Sequence, residues 1–435
     1  MPISGFPEWL PPQRMIEQFV LDKIRSTFEL YGFAPLETRA VEPVETLLSK
    51  GETSKEIYLL RRLQEESATS DDQLGLHFDL TVPFARFVVE NNGKLQFPFR
   101  RYQIQKVWRG ERPQEGRYRE FLQADIDVVN RDTLPFHFDT EMPLVIGDVF
   151  RSLPIPQAII QVNNRKVCEG FYRGLGLPDT AQVLRTVDKL DKIGPDKVAA
   201  ALVETAGATD AQAAACLKLA EISASDGSFV DRVRALGVTD PLLDEGLSEL
   251  LQVVETAAEH APGLVVAELK IARGLDYYTG TVYETQLRGY ERFGSVCSGG
   301  RYETLASVGN TRFPGVGISI GVSRLLGILF GQNALTVSRS VPTCVVVAVP
   351  SEDKRSGCDR IATALRRRGI PTEVAPTAAK FGKQIQFADR RGIPYVWFPG
   401  SPDTVKDIRS GEQVEASAAD WTPPAADLQP VVSAG

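Results

Sequence analysis

Cysteine, histidine and excess positive charge are all scarce in this chain, and each scarcity excludes something. The five cysteines (Cys168, Cys216, Cys297, Cys344 and Cys358) are scattered and form no CxxC pair. That argues against structural zinc and a disulfide framework, and it fits a reducing, cytoplasmic setting. The three histidines, His77, His137 and His260, stand far apart, so no HExxH-like ligand spacing exists. The net charge is −7, from 49 Lys and Arg against 56 Asp and Glu. Indiscriminate nucleic-acid binding is thereby disfavoured, although a local basic patch can sit on an acidic body. No apolar run approaches the roughly 18 residues of a membrane span. The opening residues MPISGFPEWLPPQ have neither a basic segment nor an apolar one, so no signal peptide is expected. Internal repeats and extended low-complexity segments are also missing. What remains is an ordinary globular composition, 43% hydrophobic and 24% charged over 435 residues. A chain of that length exceeds one comfortable core, and more than one domain is expected.

The most informative stretch is QIQKVWRGERPQEGRYREFLQADIDVVN (103–130), which reads as a strand, a charged turn and a second strand. In the second strand Leu122, Ala124, Ile126 and Val128 share one face, and Gln123, Asp125 and Asp127 share the other. An ordinary half-buried strand would turn that polar face to solvent. The turn before it, however, carries Arg109, Glu111, Arg112, Arg117 and Arg119. Arginine forks beside a row of carboxylates and an amide suit a site that holds a phosphate together with an amine-bearing ligand.

Three further segments extend this pattern. AELKIARGLDYYTGTVYE (267–284) sets an arginine, a tight turn and paired tyrosines before a β-rich run. GSVCSGGRYETLA (294–306) reads as a Gly-rich bend delivering Arg301 and Tyr302, and GVGISIGVSRLLGILF (315–330) as a strand running into an apolar helix with Arg324 near its start. In this order and spacing the four segments resemble the class II aminoacyl-tRNA synthetase core. RGLDYYTGTVYE with CSGGRYETL resembles the histidyl-tRNA synthetase family in particular.

The implied fold is α+β: an antiparallel sheet core flanked by helices, with a helical insertion and a C-terminal α/β anticodon-binding domain. Residues 1–335 would form the core, with motif 1 at about 12–45, motif 2 at about 100–130 and motif 3 at about 315–330. Ile16, Phe19, Val20, Ile24 and Phe28 mark a helix at 12–32, and the helix–strand pair that follows resembles the motif that builds a homodimer in the family. Arg39 stands where the family pattern usually has proline. LGLHFDLTVPFARFVVE (74–90) is a strand leading into a helix, and His77 on that strand reads as a packed residue rather than a ligand. Residues 172–258 are Ala/Leu/Glu-rich with helical spacing and read as the insertion, which in the family lies over the tRNA acceptor arm. Residues 341–435 alternate β and α and imply a small, mostly parallel layer, with KQIQFADRRGIPYV resembling the anticodon-binding domain. The Pro/Ala-rich end, AADWTPPAADLQPVVSAG, is expected to be loosely ordered.

The resemblance implies ATP-dependent activation of L-histidine to histidyl-adenylate and transfer of the histidine to the 3′ end of tRNA(His). Mg²⁺ would accompany the ATP, with no metal held by protein side chains. Arg109, Arg273 and Arg324 would be catalytic and, with Glu111 and Arg117, would bind the nucleotide. Asp79, Thr81 and Gln123 would take the amine of histidine, and Asp127 and Tyr278 its ring, with Tyr277 and Tyr302 lining the pocket. Arg112 and Gln114 would approach the tRNA acceptor end. Three rival readings stay open at this point. One is a non-catalytic regulatory paralogue, another is a class II synthetase for a different amino acid, and the third is a histidine-activating enzyme with a non-tRNA acceptor.

Overall fold

The computed structural model describes residues 3–48, 56–64, 73–271 and 278–435. These fall into two compact units, one of residues 23–331 with the first seven, the other of residues 8–22 with 332–435.

A nine-stranded sheet forms the centre of the first unit. Its strands, numbered along the chain, are β1 Ala34–Pro35, β2 Phe99–Trp108, β3 Glu120–Val129, β4 Ala158–Asn164, β5 Ser223–Ala224, β6 Val265–Glu268, β7 Tyr278–Leu287, β8 Cys297–Tyr302 and β9 Gly315–Gly321. They lie side by side in the order β1-β2-β3-β9-β8-β7-β4-β6-β5. Only the β1–β2 and β4–β6 pairings are parallel. Antiparallel pairing places residues directly opposite one another on a shared face, so register alone defines the rows that cross the sheet.

One face of this sheet is apolar and covered by helices. His137–Arg151 packs on it through the buried Phe138, Met142, Val145, Ile146 and Val149, and Arg165–Gly174 and Pro241–His260 lie beside it. The Asn164 side chain accepts from the Lys166 N–H and starts the second of these helices where β4 ends. The centre of the expected Gly-rich bend at 294–306 is instead the strand β8, paired on both sides. Alternation along a strand therefore sends Arg301 and Tyr302 to opposite faces. Arg301 goes to the helical side, where it meets Asp139 at 2.6 Å and the Leu134 carbonyl at 2.6 Å. Thr281 also donates to Asp139, at 2.8 Å. Burial pushes the Asp139 carboxyl up to about 6 despite that arginine. Arg301 is thus the counter-charge of a buried acid in the helix layer and has no place in the site.

Between β4 and β6 the chain forms helices from Thr180 to His260. Asp179, Thr209 and Asp240 accept backbone N–H groups at three of the helix starts, Thr209 in a reciprocal pair with Gln212. The same segment supplies β5, which pairs with β6 at the sheet margin.

The second unit holds a five-stranded sheet. Val345–Val347 lies between Thr372–Val374 and Tyr395–Phe398, all parallel, and Thr404–Asp407 and Gln413–Glu415 extend it antiparallel. Helices Arg355–Arg367 and Phe381–Asp389 connect the parallel strands. The chain end is not loose, contrary to its composition. Trp421 packs edge-on against Tyr395 and Trp397, with ring centroids 5.3 and 5.7 Å away. Asp427 accepts from Tyr395 at 2.7 Å and pairs with Arg409 at 2.7 Å, and Val432–Ala434 pairs with Leu335–Val337. One half-buried tryptophan and a charged clasp outweigh the disorder that proline and alanine suggest.

Candidate active site

The other face of the first unit's sheet is polar, and the central row shows why. Reading across the register from β2, Gln103 lies opposite Asp125, Asp125 opposite Ser319, Ser319 opposite Ser298, Ser298 opposite Glu284, and Glu284 opposite Gln161. One row on, Arg101 lies opposite Asp127, which lies opposite Gly317. Six strands thus contribute polar side chains to one floor. The alternation of β3 was legible, but its polar face meets neither solvent nor an apolar layer. Gln123, Asp125 and Asp127 are 8, 3 and 2% exposed. Burial at that level demands partners.

Asp127 has them. Arg101, fully buried, reaches its carboxylate at 2.6 Å, and the Tyr302 hydroxyl donates to it at 2.8 Å. Burial, and after it the Asp127 carboxylate, pushes the Tyr302 phenol well above its ordinary value. The Arg101 guanidinium also lies 4.3 Å above the Phe84 ring. Sequence reasoning did not name Arg101, although counting back across the hairpin places it opposite Asp127. Gly317 allows the close approach. A Cβ there would lie 2.1 Å from Asp127 Oδ1 and 2.6 Å from the Ile126 carbonyl. Gly317→Ala is therefore expected to cost about 1–3 kcal/mol of stability and to displace Asp127. Thermal unfolding and amino-acid binding by the same variant check both effects.

The arginine turn stands at the end of β2 and β3. Arg109 donates from Nε to the Phe78 carbonyl at 2.9 Å, and its guanidinium lies 5.1 Å over the Phe121 ring. Glu111 stands between Arg109 at 3.9 Å and Arg117 at 3.5 Å. Arg324 leaves the first turn of the helix Val322–Gly331 and is held by the Ser295 carbonyl at 2.7 Å and by the Phe293 carbonyl. Burial, and after it the like charge of Arg117, pushes Arg324 down to about 10. It stays cationic at neutral pH but poorly solvated, the condition in which an incoming anion is held most strongly.

These groups share a cleft of about 1220 Å³. Arg109, Glu111, Gln114, Arg117, Gln123 and Arg324 line it, together with Gln161, Glu284, Ser298 and Ser319 of the polar floor. The helical segment adds Val187, Asp188 and Leu190–Lys192 as a wall, with Asp191 3.5 Å from Lys270. Ser298 and Ser319 also border a small cavity of about 20 Å³, lined by Thr81, Asp125, Asp127, Tyr278 and Tyr302. That volume has room for about one water, so a side chain the size of an imidazole enters only when the lining shifts.

Asp79 is buried where the strand Leu74–Leu76 leads into the helix Thr81–Asn91, its Oδ1 accepting the Val82 N–H at 3.0 Å. Arg112 is exposed on the turn and does not line the cleft. Arg273 and Tyr277 lie outside the described residues. His77 is a packed residue. It is fully buried, its Nε2 is 2.6 Å from the Lys106 carbonyl, its ring lies 5.6 Å from Trp108, and burial lowers its basicity. Facing a carbonyl, Nε2 must carry the proton of a neutral ring. Arg39 pairs with the buried Glu42 at 2.9 Å, and Arg86 reaches the same carboxylate at 2.9 Å. The strand end there is thus held by ion pairs.

An antiparallel sheet with a polar floor, an arginine-bearing hairpin turn and an arginine at the start of the following helix defines a class II aminoacyl-tRNA synthetase core. Comparison with known proteins agrees. A family model described as histidyl-tRNA synthetase matches residues 5–325, and one described as anticodon binding domain matches residues 343–421. The chain belongs to the histidyl-tRNA synthetase family. It is 59% identical over 448 residues to the histidine–tRNA ligase of Micrococcus luteus, covering 99% of this chain and 98% of that one. The corresponding protein of Cutibacterium acnes is 58% identical over 445 residues, again covering 99% and 98%. The crystal structure of the histidyl-tRNA synthetase from Nostoc sp. PCC 7120 superposes with a TM-score of 0.86 at 35% identity, over 96% of this chain and 97% of that one.

Proposed function

We propose that this chain ligates histidine to tRNA, the activity its family carries, through the following contacts. Histidine binds with its ring between Asp127 and Tyr278, enclosed by Tyr302 and Tyr277, and with its amine toward Asp79, Thr81 and Gln123. ATP lies along the cleft. Arg109 holds the α-phosphate, Arg324 the γ-phosphate, Arg117 an outer phosphate oxygen, and Glu111 the adenine end. The histidine carboxylate attacks the α-phosphorus, a new C–O–P bond forms, and the bond to the β-phosphate oxygen breaks to release pyrophosphate. Little proton transfer is needed. The protein's work is alignment and neutralisation of charge on the α-phosphoryl oxygens, which forked guanidinium groups do well. Arg273 of the RGLDYY segment reaches the same oxygens and the substrate carboxylate. A ribose hydroxyl at the tRNA 3′ end then attacks the histidyl carbonyl, and AMP leaves.

Mg²⁺ belongs to the nucleotide as counter-ion of its β- and γ-phosphates. Among the described residues no cluster of His, Cys, Asp or Glu could hold a metal, and no step here runs through a protein-held ion. Arg112 and Gln114 face the tRNA acceptor end, the insertion at 172–258 covers the acceptor arm, and residues 341–435 bind the anticodon arm of tRNA(His). The core at 1–335 works as one half of a homodimer in the cytoplasm. No helix among the described residues is long and apolar enough to cross a membrane.

One observation supports the histidine site above all. The arginine cleft runs along a polar floor into a cavity where two buried aspartates and two tyrosines meet. Histidine-dependent exchange of labelled pyrophosphate into ATP is the test. Exchange with histidine and not with proline, threonine or glycine is expected, and equal exchange with any of those three would overturn the substrate assignment. A regulatory paralogue would neither exchange nor charge tRNA. The identity to histidine–tRNA ligases over nearly the whole chain disfavours it. Exchange without charging of tRNA(His) would point instead to another acceptor.

A further inference from the structure

Three buried acceptor atoms around the cavity have no hydrogen-bond partner among the described residues: Asp79 Oδ2, Gln123 Oε1 and Asp125 Oδ1. Each is expensive to leave unsatisfied in the empty protein. They belong to one neighbourhood. Asp125 stands between Gln123 and Asp127 on the same strand face, and it lines the small cavity beside Thr81. Gln123 Nε2 donates to Ser319 Oγ at 2.9 Å, and the Ser319 hydroxyl in turn donates to Asp125. With its amide nitrogen turned to Ser319, Gln123 presents its unpartnered oxygen as the acceptor. The Asp79 charge acts on Asp125 directly.

An ammonium group has three N–H donors and no acceptor. Three orphaned acceptors, two of them carboxylates, match that inventory. Among the described residues Arg101, the arginine whose charge acts on Asp125, is already committed to Asp127 at 2.6 Å. Asp125 is therefore poorly compensated as a carboxylate, and a cation entering the cavity favours its ionised form.

We propose that Asp125 accepts a hydrogen bond from the α-ammonium of the bound amino acid, as the third acceptor beside Asp79 and Gln123. This rests on the reading above that histidine binds here, and it gives Asp125 the third contact otherwise assigned to the Thr81 hydroxyl. Asp125 then discriminates by charge. It selects a ligand with a protonated amine and rejects an acid or amide of the same shape, because such a ligand leaves the carboxylate buried and unpaired.

The titration of Asp125 gives a second readout. In the empty protein burial raises its carboxyl to about 7, against the pull of Arg101 and the Ser319 hydroxyl. Asp127 and Asp79 add to the rise, Cys297 of β8 keeps its thiol protonated by burial, and the Tyr278 and Tyr302 phenols share the cavity with Asp125. An arriving ammonium favours the ionised carboxylate. Amine binding near neutral pH must then expel a proton, and affinity must rise with pH until Asp125 is ionised without help.

The test compares histidine with 3-(imidazol-4-yl)propionate, which keeps the ring and carboxylate but lacks the amine. Binding is measured calorimetrically with the full-length protein and with Asp125→Asn. Asn keeps the shape and removes the charge. Histidine affinity should fall about ten-fold or more in the variant, and that of the desamino ligand by no more than about two-fold. Wild-type titrations near pH 7 in buffers of different ionisation enthalpy provide a measurement that needs no variant. Histidine should release more protons than the desamino ligand. Equal losses for both ligands in Asp125→Asn would make the residue merely structural. Unchanged histidine affinity, or equal proton release by the two ligands, would also overturn the proposal. If the wild-type protein did not bind histidine at all, the substrate reading itself would fail, an outcome distinct from these.

Discussion

Replacing Asp127 by Asn is expected to lower histidine-dependent pyrophosphate exchange by about a hundred-fold or more and to destabilise the protein by about 3 kcal/mol. The two effects have different causes. Arg101 has no exposure, and its ion pair at 2.6 Å is with Asp127. An amide of the same shape leaves that guanidinium without its counter-charge. Breaking a buried pair on one side costs about 3–5 kcal/mol. The lower end applies because the Gln103 side chain at 3.3 Å and the Leu80 carbonyl at 3.4 Å remain as acceptors, and because Asn still accepts from Tyr302.

The loss of activity comes from the ligand side. The proposed ring acceptor loses its charge, and Arg101 then presents an unbalanced positive charge beside the substrate's imidazole and ammonium donors. Denaturant unfolding measures the first effect, and exchange measured at saturating ATP with varied histidine measures the second. A variant with normal stability would show that the Arg101 pair is dispensable. A normal dependence on histidine concentration would remove Asp127 from the amino-acid site.

The parts of the site differ in how far the sequence revealed them. The arginine turn and the polar face of β3 are local features, written in alternation and charge over 109–127. The strand-to-helix run that delivers Arg324 is local as well. What escaped was non-local. Arg101 and Ser319 matter because register sets them opposite Asp127 and Asp125, and nothing in their own neighbourhoods marks them. Asp125 was visible on the polar face, but the cost of its burial appears only once β2 and β9 close on either side of it.

Arg301 misled because it sits beside Tyr302 in sequence. A bend could have delivered both to one place, whereas a strand must send them to opposite faces. The C-terminal tail misled for another reason. Composition measures average propensity, while Trp421 and Asp427 act through particular partners on the strand Tyr395–Phe398. The insertion was legible as helical, yet its contribution of a cleft wall through Asp188 and Asp191 was not.

Arg109→Lys is expected to slow histidyl-adenylate formation by about a hundred-fold or more, although the charge is conserved. The reason lies in how the guanidinium is held. Its Nε is committed to the Phe78 carbonyl at 2.9 Å and its plane lies over Phe121. The terminal nitrogens are thereby oriented as a fork for two phosphate oxygens. Lysine gathers its donors on one nitrogen and cannot hold the carbonyl while presenting two parallel, separated N–H groups to the phosphate. It also lacks the planar face that stacks on the ring. Stability should change little, because the Arg109 side chain is 28% exposed and its nearest acid, Glu111, is 3.9 Å away.

Arg117 provides the control. Its side chain is 49% exposed and pairs with Glu111 at 3.5 Å, with no bracing carbonyl or ring of that kind among the described residues. Arg117→Lys should therefore cost less than about ten-fold. Single-turnover adenylate formation with both variants separates the two arginines. Comparable losses would mean that the cleft supplies only general positive charge. A large loss for Arg109→Lys alone would mean that oriented, forked donors on the α-phosphate carry the step.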